Sequence, residues 1–146
     1  MHRLISVRLL AGFALLLGLT AVPAMPGWAQ QEGNSCDVEG ENKNCPNGNL
    51  ANANLAGADL ASANLSGTDL RGANLQGAIL TDANLQGANL QDVDLSSATL
   101  TRANLSNAVL IRTNLYDADI SEVAFEGAKF QGTICSDGHV TDGPPC

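Results

Sequence analysis

The chain has 146 residues, enough for one domain, and its 45% hydrophobic content includes only 3% aromatic residues, so a core built on large rings is excluded and Ala and Leu must do that work. Fifteen acids against seven bases give a net charge of −8, which argues against a protein that grips phosphate with a basic face. The two histidines, His2 and His139, leave little for a zinc site or for histidine-based catalysis.

Residues 1–29 read as a secretory signal peptide. Arg3 and Arg8 precede an uncharged apolar run over residues 9–22, and Pro23, Pro26 and Gly27-Trp28-Ala29 follow. Cleavage after Ala29 leaves Gly27 and Ala29 at the two positions that must be small. A helix over residues 9–22 reaches roughly 21 Å, short of the ~30 Å hydrocarbon core, which disfavours a membrane anchor. Removal of this segment leaves 5 bases and 15 acids, a net charge of −10. No second apolar run is long enough to span a bilayer, so no stable membrane insertion is expected after processing.

Residues 30–47 form a short polar segment holding Cys36 and Cys45. From residue 48 to 133 the chain repeats every five residues. Of the seventeen positions 50, 55, 60 and onward to 130, fourteen are Leu and the last three are Ile120, Phe125 and Phe130. Of the sixteen positions two residues before the Leu sites, from 53 to 128, twelve are Ala. Asn or Asp stands just before most of the leucines, and two small or polar residues follow most of them, as in Leu75-Gln76-Gly77. A period of five fits neither a helical stripe nor a long strand. Within one unit, Ala and Leu are two apart and share one face of a very short extended piece, while Gly, Asn and Ser between units suit tight turns. Alternating short sides and corners make a coil, and each coil must bury Ala and Leu against the next. The core positions are thus Leu55, Leu65, Leu75, Leu85, Leu95, Leu105, Leu115 and Phe125, with the intervening leucines.

Ala53-Asn54-Leu55-Ala56-Gly57 and Ala83-Asn84-Leu85-Gln86-Gly87 resemble the A-(D/N)-L-x-x unit of the pentapeptide-repeat family. The resemblance implies an all-β fold, a right-handed parallel quadrilateral β-helix with four units per coil. Seventeen units then make about four coils, a stack of roughly 20 Å at the strand spacing. Residues twenty apart should stack, which places Asp82, Arg102 and Glu122 in one outward column and Asp92 beneath Arg112 in another. Residues 134–146 carry Cys135 and Cys146, so the chain has four cysteines and three possible pairings. On the implied stack the two ends are too far apart to bridge, which favours Cys36 with Cys45 and Cys135 with Cys146 as disulfide caps. The closing cysteine loop also resembles, more loosely, the endings of secreted members of the family.

No acid, base and nucleophile are grouped in the sequence. Asp92 and Asp94 read as regular outward positions, and no cofactor, metal site or enzymatic activity is expected. A non-catalytic structural or protein-binding module is expected instead, a monomer or weak dimer, in a bacterial periplasm, outside the cell or in a thylakoid lumen. Its unidentified protein partner would meet exposed aliphatics on the walls, with Ile79 on one side and Val109 and Ile111 on another. The alternative that the resemblance implies is an acidic rod that mimics DNA and binds a topoisomerase. The export signal opposes it, because that target is cytoplasmic.

Overall fold

The computed structural model describes Cys36, Val38, residues 43–143 and Cys146. The signal peptide expected over residues 1–29 and most of the segment before the repeats lie outside the described residues.

The chain winds as a β-helical solenoid. Fourteen parallel bridges and the parallel pair of β1 (Val109–Ile111) with β2 (Lys129–Gln131) all join residues twenty apart. Four five-residue units therefore complete one circuit. One unit shows why the repeat has its composition. Asn74 donates its N–H down to Ala53 O at 2.9 Å, and Leu75 donates up to Asp94 O at 2.7 Å. Gln76 N–H goes to the Asn74 side chain at 3.0 Å, Gly77 N–H up to Ser96 O at 2.9 Å, and Ala78 N–H closes the turn on Leu75 O at 3.0 Å. Every backbone donor of the unit is satisfied, four of them by neighbouring turns of the coil or the unit's own corner, and one only by the Asn side chain. Asn or Asp before Leu is thus a built-in acceptor for the N–H two residues on, the Asx arrangement. Asn49, Asp69, Asn89 and Asp119 are among those that repeat it.

The corner has its own requirement. From Asn47 to Gly132 the second residue of every turn has φ between 53° and 68°. With a Leu carbonyl accepting from the residue three on, this is a type II turn, which favours Gly or Asn at that position. Arg102, Arg112 and Glu122 also occupy it, against their conformational preference.

All fourteen repeat leucines are buried, thirteen of them with no exposed surface and Leu55 at 6%. The Ala positions fill the space between them, and Thr68, Thr113 and Thr133 replace Ala without leaving a buried hydroxyl unmet. Each donates to a backbone carbonyl one circuit back: Thr68 to Cys45 O at 2.6 Å, Thr113 to Leu90 O at 2.8 Å, and Thr133 to Leu110 O. Burial weakens in the last circuit, where Ile120 and Phe125 are half-buried and Phe130 is 7% exposed. Phe125 meets Phe130 edge to face, with ring centroids 5.4 Å apart.

The structure joins Cys36 to Cys45 and Cys135 to Cys146. Cys45 and Cys135 continue the five-residue spacing at either end and occupy leucine positions, 1% and 0% exposed. At the first end, Val38 enters the core. At the last end the chain reverses through an antiparallel pair, β3 (Thr133–Ile134) with β4 (Val140–Thr141).

Candidate functional site

With the interior given to aliphatics, whatever the molecule recognises it must recognise with its walls. The side chains there stand in columns, because residues twenty apart are stacked neighbours. The charged columns are paired as the spacing predicts. Arg102 grips Asp82 through Nε and Nη2 at 2.8 and 2.7 Å, and Arg112 grips Asp92 in the same two-pronged way at 2.7 and 2.6 Å. The hydrogen bonds from Arg102 hold the Asp82 carboxyl below its ordinary pKa, and those from Arg112, with help from Gln91, do the same for Asp92. Both pairs are exposed, so they help hold neighbouring circuits in line and contribute little net stability. Arg71 behaves differently and turns to Asp69 within its own unit, with Nη2 to Oδ2 at 2.6 Å. Lys43 reaches Asp59 at 2.9 Å.

Ile79 belongs to the column Asp59, Ile79, Thr99, Asp119, and Val109 to the column Asn89, Val109, Lys129. These columns are two units apart around a four-unit circuit, so the structure places Ile79 on the wall opposite Val109 and Ile111 and does not gather the three into one patch. Ile79 is 43% exposed, whereas Val109 and Ile111 are half-buried. Around Ile79, Thr81, Thr99 and Thr101 are half-buried, with Asp59 and Asp119 at the two ends of the column and Thr101 Oγ1 tied to Asp119 Oδ2 at 2.9 Å. On the Val109 wall, the Asn or Asp of the repeat is replaced by Val109 and by Lys129, and there the extended piece lengthens to the three residues of β1 and β2. At the corner beside this wall, Asn52, Arg71, Gly72, Gln91 and Asp92 line a shallow polar groove.

Two exposed apolar side chains were not singled out by the sequence reading, Tyr116 at 56% and Val140 at 64%. Tyr116 stands alone in its repeat position and Val140 lies beyond the repeats, so no periodicity marks either. The leucine-position cysteines were also missed as core residues, although counting five back from Leu50 and five on from Phe130 reaches them. Among the described residues no group of His, Cys, Asp and Glu could hold a metal ion, and no helix is long and apolar enough to cross a membrane.

The family model for pentapeptide repeats matches eight copies over residues 47–77, 78–115 and 94–132. The chain belongs to the pentapeptide-repeat family. A solved pentapeptide-repeat protein, Rfr23 from the cyanobacterium Cyanothece 51142, is 38% identical over 59% of this chain and 58% of its own, with a TM-score of 0.58. The chain therefore spans less than two thirds of that protein's length. A pentapeptide-repeat protein from the Arabidopsis thaliana thylakoid lumen is 30% identical over 64% of this chain and 69% of its own, with a TM-score of 0.39. QnrB1, a plasmid-mediated fluoroquinolone resistance protein, is 20% identical over 72% of this chain and 67% of its own, with a TM-score of 0.29. No curated protein sequence matches this pentapeptide-repeat protein.

Proposed function

We propose that this pentapeptide-repeat protein is an exported, non-catalytic module that binds a protein partner through one wall of its solenoid. In this reading the solenoid is a right-handed, quadrilateral β-helix of about four coils, capped by its two cysteine loops. The observation that carries the reading is the division of labour in the repeat. Leu and Ala close the interior, the Asn or Asp side chain completes the backbone bonding, the corner residue takes the positive φ, and the outward position just after the Leu is left to vary. A rigid wall of fixed columns pays little ordering entropy on binding. The export pattern of residues 1–29 and the two disulfides support a compartment outside the cytoplasm, a periplasm, the cell exterior or a thylakoid lumen.

Because Ile79 and the Val109–Ile111 pair face opposite ways, the test separates them. Ile79→Ser and the double variant Val109→Ser/Ile111→Ser are each compared with the parent, as processed protein used for capture from its native compartment. One of the two is expected to abolish capture of a partner while circular dichroism stays unchanged, which identifies the binding wall. Undiminished capture by both variants would contradict the reading.

A further inference from the structure

We infer that the Cys135–Cys146 disulfide is a thiol-controlled latch: a dithiol reductant opens it and releases the segment after Cys135 while the solenoid stays wound. The two caps are built differently. Cys36 lies two residues from Val38, which is 6% exposed within the core, so the first cap is anchored by an apolar side chain as well as by sulfur. The last cap has no such anchor among its described residues. Asp137, Gly138, His139 and Val140 are all exposed. Apart from the disulfide, the segment is held by the two-residue pairing of β3 with β4, by Gly132 N–H to Asp142 Oδ1 at 2.7 Å, by Asp117 N–H of the circuit before to Ser136 O at 2.9 Å, and by the turn in which Cys135 N–H meets His139 O at 2.8 Å and Gly138 N–H meets Cys135 O at 2.9 Å. Gly138 also lies against the Tyr116 ring, so close that an added Cβ would come within 3.3 Å. An antiparallel pair this short is marginal in water without further support.

The other half of the bond suits reversible opening. Cys135 is fully buried at a leucine position, above Leu115 in the column that begins with Leu55. A neutral thiol is a small hydrophobe, so reduction leaves an apolar side chain in an apolar slot and the circuits below keep their packing. Cys146 is the partly exposed partner, packed at the edge of the core. The incoming thiolate attacks the Cys146 sulfur and Cys135 departs as a thiolate that takes up a proton. The second thiol of the reductant then closes its own disulfide and frees Cys146. Two electrons and two protons pass from reductant to protein.

The test is hydrogen exchange on the processed full-length protein, oxidised and after dithiothreitol, alongside Cys146→Ser without reductant. The variant isolates this bond from Cys36–Cys45. In both opened forms the amides of Gly132, Cys135 and Gly138 are expected to exchange roughly tenfold faster or more, while those of Leu85 and Leu90 keep their protection. Under brief maleimide labelling of the reduced protein, Cys146 should react well before Cys135. Unchanged exchange at Gly132 and Cys135 would overturn the proposal, and so would loss of protection at Leu85 and Leu90 in Cys146→Ser.

Discussion

Leu85→Ala is expected to cost about 2–5 kcal/mol of stability, read as a lowered denaturation midpoint, because it empties a fully buried site in the middle of the stack. Leu65 and Leu105 lie one circuit to either side and are equally buried, so the cavity has no surface through which to collapse. Ile79→Ala is the matched control. It removes aliphatic bulk from a side chain that is 43% exposed, and should stay within roughly 0.5 kcal/mol of the parent. In a solenoid each circuit is supported only by its neighbours, so the loss at Leu85 should also appear as early local opening around that circuit. Equal effects for the two substitutions would show that the leucine column is not the main apolar burial.

The second large effect distinguishes two glycines with the same backbone. Gly72 and Gly77 have φ of 67° and 65°, so Ala at either must adopt the left-handed conformation, at about 1–2 kcal/mol. They differ in what lies against them. An added Cβ at Gly77 meets nothing within 4 Å, whereas at Gly72 it would lie 2.6 Å from Asn52 Oδ1. Asn52 is the corner residue one circuit earlier, and its amide lies beneath the glycine. The same arrangement recurs at Gly67 above Asn47 and at Gly127 above Asn107. Asn52 is exposed and its side chain can turn aside, so Gly72→Ala should lower the midpoint somewhat more than Gly77→Ala, on top of the shared backbone cost, and adding Asn52→Gly should remove the difference. A Gly72→Ala penalty no larger than that of Gly77→Ala, or one that survives Asn52→Gly, would contradict the coupling.

That coupling marks where sequence reading reached and where it stopped. The five-residue period places Leu and Ala inside, and the resemblance supplies a twenty-residue circuit. Together they place Arg102 over Asp82 and Arg112 over Asp92, which the structure shows as two-pronged ion pairs. Arg71 has the same position-independent charge and makes a different choice, because its column offers Gln91 and Ala51 while Asp69 is two residues away on its own chain. The corner glycines all look alike in one dimension. What separates Gly72 from Gly77 is the residue twenty earlier, Asn52 against Gly57, a comparison that a five-residue window never makes. The wall residues show how far sequence reading went: Ile79, Val109 and Ile111 were legible as outward and as lying on different sides, and the twenty-residue circuit makes those sides opposite walls. The half-burial of Val109 and Ile111 depends on side-chain neighbours in the adjacent columns, which periodicity does not report.

The central claim is that the chain advances one circuit every twenty residues. Paired cysteine substitutions on the Ile79 wall test it directly, since Ile79 and Thr99 are bridged neighbours with outward side chains and the native cysteines are already joined to one another. In the folded protein, Ile79→Cys/Thr99→Cys should oxidise to an intrachain disulfide, because stacked strands lie about 4.8 Å apart, within bridging reach. Ile79→Cys/Thr101→Cys should remain reduced, as the diagonal exceeds that reach. A disulfide that forms between 79 and 101 and not between 79 and 99 would contradict the circuit length and the account built on it.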